Sequence, residues 1–223
     1  MKRLCKLEPN NIQFKLILST ISLAICHFEQ GFSLLENRFQ FVPQNYPDRV
    51  IPLWKKEKDK YKKIVVFGEQ GFGDCFMYGK FLNELKKQFD RVDLCVSPPL
   101  VNIFKNSKLN IDNVFTNGNI YDYDFHTYIC SLPYLLDIDS EKKIANNFNY
   151  LQNGNKPKNK KIKIGLCLHG RLDTELERTR AIDIKYIQPL IDNKNIELHS
   201  VYIPHKDNQE YKELVKQGKI IEH

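Results

Sequence analysis

The sequence predicts an α/β fold built on a doubly wound parallel sheet, and three observations carry that prediction. From about residue 60 onward, short apolar runs of strand length alternate with amphipathic stretches of helical spacing; the first run closes on a glycine-rich turn; and the rhythm restarts after a polar break. Composition agrees, because 42% hydrophobic and 27% charged residues in a chain of 223 describe a folded protein, long enough for one large domain or two small ones.

Before the alternation begins, Lys2, Arg3, Lys6 and Lys15 accompany the apolar run L-I-L-S-T-I-S-L-A-I-C. That run is too short to span a bilayer. Glu8 and Pro9, with no A-x-A-like site, speak against a secretory leader, and Ile25 before Cys26 spoils a lipoprotein site. Phe14, Ile17, Leu18, Ile21, Ala24, Ile25 and Phe28 recur instead at the spacing of an amphipathic helix. A second helical stretch covers 28–39, and Pro43, Pro47 and Pro52 impose an extended path to Trp54, so residues 1–54 read as a helical hairpin and lead-in.

The sheet domain is expected over 55–151. K-I-V-V-F-G at 63–68 is a buried parallel strand ending in glycine, and 74–89 is a helix with Phe76, Met77, Phe81, Leu82, Leu85 and Phe89 on one stripe. V-D-L-C-V at 92–96 is the next strand, Pro98 and Pro99 open a helix through Phe104, and strands follow at 111–116 and 126–130. The polar, basic stretch Q-N-G-N-K-P-K-N-K-K at 152–161 reads as a linker. Beyond it, residues 162–223 restart the pattern with strands at 162–169 and 196–203 and helices near 183–191 and 208–217, an incomplete second α/β unit.

The net charge of +7 does not point to nucleic acid. The densest basic runs, at 55–63 and 156–163, sit beside a strand and in the linker, where they read as solvated surface. Six cysteines at 5, 26, 75, 95, 130 and 167 form no C-x-x-C pair, and Cys95, Cys130 and Cys167 lie in apolar runs as small hydrophobes. The histidines form no metal pattern. A reduced, cytoplasmic protein without a metal site or disulfide framework is expected.

The turn F-G-E-Q-G-F-G-D-C at 67–75 carries the chemistry. Gly68, Gly71 and Gly73 are spaced G-x-x-G-x-G, which is not the dinucleotide fingerprint, and Gly73 is followed by Asp74 and Cys75 where a P-loop needs Lys and Ser or Thr. A carboxylate at a helix N-terminus occupies the place where phosphate would bind, so Asp74 is itself the anion of the site, available to a substrate hydroxyl. The alternative makes Asp74 an N-cap and the glycines a tight turn. Glu69 is either a solvated loop acid or a group that orients an acceptor sugar or bonds Gln70. His169, at the end of the strand opening the second unit, faces the presumed cleft; Arg171, Arg178 and Arg180 cluster beyond it, as a diphosphate-binding set or as a solvated loop.

Several blocks taken together resemble a bacterial family: V-F-G-E-Q-G-F-G-D at 66–74, V-D-L-C-V-S-P-P-L at 92–100, S-L-P at 131–133, N-Y-L at 149–151, and I-G-L-C-L-H-G followed by R-T-R-A-I. The family is the glycosyltransferase-like domain found behind tetratricopeptide repeats, similar to the heptosyltransferases of lipopolysaccharide core. The stretch I-C-H-F-E-Q-G-F-S-L-L-E-N-R-F also resembles the last repeat helices before that domain, which commonly end in a tyrosine-glutamate-x-arginine run.

The resemblance implies a GT-B arrangement: a Rossmann-like acceptor-side domain, then a donor-side domain holding a nucleotide sugar. Asp74 would be the catalytic base of an inverting, metal-independent transfer. Glu69, Gln70, Gly71, Gly73, His169, Arg171, Arg178 and Arg180 would bind substrate. No cofactor is implied beyond the nucleotide sugar as donor, with a glycan or protein as acceptor. The N-terminal helices would be the surface for any protein partner, and the alternative to a free cytoplasmic location is the inner face of the membrane. Cys167, Leu168, His169 and Gly170 stand where the family often has a W-A-G run, and its later D-T-x-x-x-H block has no counterpart. An inert remnant or binding module lacking the donor half is therefore the competing expectation.

Overall fold

The computed structural model describes residues 1–40, 51–57, 62–116, 118, 120–145, 149–151, 161–168, 181–201 and 209–222. The chain divides into two compact units, Met1–Asn153 and Gly154–His223. The division falls inside the polar stretch at 152–161, whereas the hairpin at the N-terminus packs as part of the first unit.

That hairpin is made by α1 (Lys2–Leu7), α2 (Ile12–Ala24) and α3 (Phe28–Leu35), followed by a 3-10 turn over Glu36–Gln40. Asn11 caps α2 by accepting the Phe14 N–H through its side chain at 3.2 Å. At the other end, the Cys26 N–H reaches Leu23 O at 3.1 Å and the His27 N–H reaches Ser22 O at 2.8 Å, a Schellman closure with Cys26 at φ +61° where glycine is usual.

The predicted apolar stripe of α2 packs only in part. Leu18, Ser19 and Ser22 are the buried residues of this helix, whereas Ile17, Ile21 and Ile25 are exposed. The reason lies in α3: a Cβ at Gly31 would stand 2.5 Å from Leu23 Cδ2, and Ser19 Oγ donates to Gly31 O at 2.7 Å. The two helices meet through small residues at close range, which turns the isoleucines outward.

The first unit is centred on a parallel sheet of β1 (Lys63–Phe67), β2 (Arg91–Cys95), β3 (Asn113–Phe115) and β4 (Phe125–Tyr128), in the order β3-β2-β1-β4. Leu53 bridges His126 in parallel and extends the sheet beyond β4. Alternation along the strands sends Ile64, Val66, Val92, Leu94 and Val114 into the larger core. That core also holds Tyr78 from α4 (Phe72–Gly79), Leu82 and Leu85 from α5 (Leu82–Lys86), and Leu100 and Phe104 from α6 (Pro98–Lys105). Val65, Phe67 and Tyr128 form a smaller core on the opposite face with Ile51, packed by Phe39, Leu53 and Tyr123.

The single helix expected over 74–89 starts two residues earlier and breaks after Gly79. A Cβ at Gly79 would meet Phe104 Cε1 at 2.8 Å and Tyr150 Oη at 3.0 Å, and that hydroxyl donates to Phe76 O at 2.7 Å. Tyr150, from the N-Y-L block, thus crosses the end of α4 and fixes the glycine there. Met77, placed by periodicity on the buried stripe, is 56% exposed.

The second unit contains a parallel sheet of β5 (Ile162–Leu166), β6 (Ile196–Ser200) and β7 (Ile220–Ile221), in that order. Leu166, Leu168, Leu198 and Ile220 pack on one side with Ile184, Ile187, Ile191 and Tyr211. Cys167, expected as a small hydrophobe inside its strand, is exposed. Among the described residues no helix is long and apolar enough to cross a membrane.

Candidate functional site

The strand order defines where a site belongs. The chain builds β1, β2 and β3 outward in one direction and then returns to lay β4 on the other side of β1, so the connections part above β1 and β4. In parallel sheets, ligands bind at the carboxyl ends of the strands beside such a reversal. The glycine loop leaves β1 there, and the Ile129–Ser131 turn leaves β4 beside it.

Each glycine of the loop has a different physical role. Gly68 is held by close approach: a Cβ would lie 2.9 Å from Val96 Cγ1 and 3.1 Å from Cys75 Sγ. Among the described residues, the atom nearest a Cβ at Gly71 is Asp74 Oδ2 at 3.4 Å, and at Gly73 nothing lies within 4 Å. The left-handed residue of the turn is Gln70, at φ +60°. For a residue with a side chain that conformation costs about 1–2 kcal/mol, so the turn is held from outside.

Asp74 is the third residue of α4 and not its cap. Gly71 occupies the cap position, and Asp74 Oδ2 accepts its N–H at 3.0 Å, closing one side of a capping box. The side chain is partly exposed, and among the described residues its other oxygen takes no hydrogen bond. Gly73 and Met77, four residues apart, share one exposed helix face, and Phe72 stands 51% exposed beside them.

Glu69 is neither a solvated loop acid nor a partner of Gln70. Its carboxylate accepts Arg38 Nε at 3.0 Å, Arg38 Nη2 at 2.5 Å and the Cys130 N–H at 3.2 Å. Arg38 is 4% exposed and also donates Nη1 to Glu36 Oε1 at 2.7 Å and Leu35 O at 3.3 Å, and Nη2 to Ser131 Oγ at 2.7 Å. Ser131 Oγ donates in turn to Glu36 Oε2 at 3.0 Å. All five guanidinium N–H donors are used.

Electrostatics follow from this packing. Burial works against the charge of Arg38, but Glu69 and Glu36 outweigh it and raise its pKa. Burial also raises the pKa of Glu36, against the opposing pull of Arg38 and Ser131. Two carboxylates share one guanidinium. Around the loop, burial pushes the Tyr78 hydroxyl up to about 12 and raises the thiols of Cys75 and Cys130.

Of the residues the sequence singled out, the structure brings Glu69, Gln70, Gly71, Gly73 and Asp74 together at the β1 and β4 ends. His169, Arg171, Arg178 and Arg180 lie outside the described residues. Sequence reasoning missed Arg38, Glu36 and Ser131. The signal was present in the L-E-N-R and S-L-P stretches, but nothing local pairs residues 31 or 93 positions apart. Compared with protein-family models, curated proteins and solved structures, the chain matches none. Among the described residues no group of three or more His, Cys, Asp or Glu side chains could hold a metal ion.

Proposed function

We propose that this chain is a glycosyltransferase-like protein whose first unit is the acceptor side of a GT-B arrangement, with Asp74 as the base. The observation that carries the reading is Asp74 itself: a partly exposed carboxylate at the mouth of β1, with one oxygen on Gly71 and open space at Gly73. The exposed ring of Phe72 adds an apolar surface on which the face of a sugar can pack.

In the reaction, an acceptor hydroxyl gives its proton to Asp74 as its oxygen bonds to the anomeric carbon. The bond from that carbon to the donor diphosphate breaks, and the diphosphate leaves with the electron pair. General-base help of this kind is worth about 10²–10⁴-fold in rate. His169, Arg171, Arg178 and Arg180 are the residues proposed to receive the nucleotide sugar. The resemblance in sequence blocks supports the assignment, and the exhaustion of nucleotide motifs in the loop supports a hydroxyl there over a phosphate.

A second reading, a binding module without transfer activity, is favoured by one observation: both loop carboxylates are engaged, Asp74 in the capping box with the Gly71 N–H and Glu69 in its pairing with Arg38. Titration calorimetry with a panel of nucleoside diphosphate sugars separates the two. Transferase activity predicts saturable binding and release of nucleoside diphosphate, reduced at least about 100-fold in Asp74→Asn and unaffected by chelators. No binding at millimolar donor sinks the transferase and leaves the module.

A further inference from the structure

We infer that Arg38 is the positioning residue of this site: it clamps Glu69 so that the strained turn at Gln70 is held and Asp74 is presented above β1 and β4. The inference rests on the reading of Asp74 as the acceptor-facing group.

The turn is pinned on both sides of its left-handed residue. On one side, Glu69 is locked by the paired contacts from Arg38 and by the Cys130 N–H; on the other, the Gly71 N–H is bound by Asp74. Gln70 is exposed, and no hydrogen bond of its own side chain accounts for its φ of +60° among the described residues. Strain of this kind persists only where the surroundings over-determine it. Here the surroundings are a guanidinium supplied by the N-terminal hairpin, more than 30 residues away in sequence. With every N–H of Arg38 satisfied, lysine is no substitute, because a compact ammonium has three donors and no planar fork.

The hairpin is thereby a working part of the site. Glu36 and Ser131 fix the guanidinium, the guanidinium fixes Glu69, and Glu69 fixes the backbone from which Asp74 follows. A merely structural ion pair would lower stability when broken but would leave the loop no looser than the core.

Amide hydrogen exchange on the full chain reads the difference without any substrate. In Arg38→Lys, amides of residues 69–75 are expected to exchange about tenfold faster or more, on the scale of one lost charge-assisted hydrogen bond, while β1 and β2 stay protected. Adding Gln70→Gly, which removes the cost of positive φ, is expected to restore most of that protection. Glu69→Gln weakens the same clamp without stranding a buried charge and serves if Arg38→Lys fails to fold. Uniform loss of protection across loop and core, unchanged loop exchange, or no rescue by Gln70→Gly each overturns the inference. Because these readouts need no donor or acceptor, they stand apart from the fate of Asp74→Asn in transfer assays. If transfer is observed, Arg38→Lys lowers kcat while donor KM holds.

Discussion

Replacing Gly73 with alanine tests whether the open space above α4 is held for a ligand. Among the described residues nothing lies within 4 Å of the Cβ that would be added, and the residue is helical, so no described neighbour makes steric use of glycine here. Relative to glycine, alanine in a helix gains about 0.5–1 kcal/mol, which for a chain of this size is about 1–4 °C in Tm. Gly68→Ala is the contrasting case. Its Cβ would press on Val96 at 2.9 Å and Cys75 at 3.1 Å, and such overpacking costs about 1–3 kcal/mol. Thermal and urea unfolding should therefore rank the proteins Gly73→Ala, wild type, Gly68→Ala in falling stability. If a sugar lies against Gly73, the stabilised variant loses at least about tenfold in turnover or affinity, the effect of a misplaced reacting group. A Gly73→Ala protein that is more stable and fully active refutes the reasoning that the space is kept for substrate.

Other expectations follow from single contacts. Cys26→Gly, at φ +61° in the Schellman closure of α2, should stabilise by about 0.5–1 kcal/mol, read as a raised urea midpoint. Thiol labelling near neutral pH should modify exposed Cys167 first and exposed Cys26 next, its thiol raised by a hydrogen bond with Glu141; buried Cys75 and Cys130, and Cys95 with its thiol pushed up to about 11, should wait for unfolding. Glu36 has a folded-state pKa above its ordinary 4.5, so the native state holds its proton more tightly and stability from this group is full below 4.5 and declines as pH rises through the folded value. Urea midpoints should thus fall less over that rise in Glu36→Gln than in wild type. Gly79→Ala, whose Cβ would strike Phe104 and Tyr150, should lose about 1–3 kcal/mol.

The strands were legible because a buried parallel strand is a short continuous apolar run, as K-I-V-V-F is. The turn that follows was legible as a place where chemistry belongs. Its mechanics were not. Periodicity carried a helix through Gly79, where Tyr150 arrives from 71 positions later and leaves no room for any other residue. Periodicity also buried Ile17, Ile21 and Ile25, because a stripe of isoleucine outweighs two serines until Gly31 is seen to let α3 approach on the serine side. At the site, spacing does not separate the three glycines, whereas Gly68 answers to packing, Gly71 to a cap, and Gly73 to nothing among the described residues. Glu69 looked like a free carboxylate because its counter-charge sits on another element.

The Arg38 cluster also sets an order of events during synthesis. The hairpin leaves the ribosome before the sheet, but its arginine reaches Ser131 across 93 residues and Glu69 across 31, so the ring of contacts cannot close until the end of β4 has emerged. Until then the nascent chain carries a guanidinium and two carboxylates destined for the interior and still in water, and the glycine loop has no reason to take its final shape. A chain shortened to begin at residue 55 would keep every strand of the first sheet and leave Glu69 facing an empty socket.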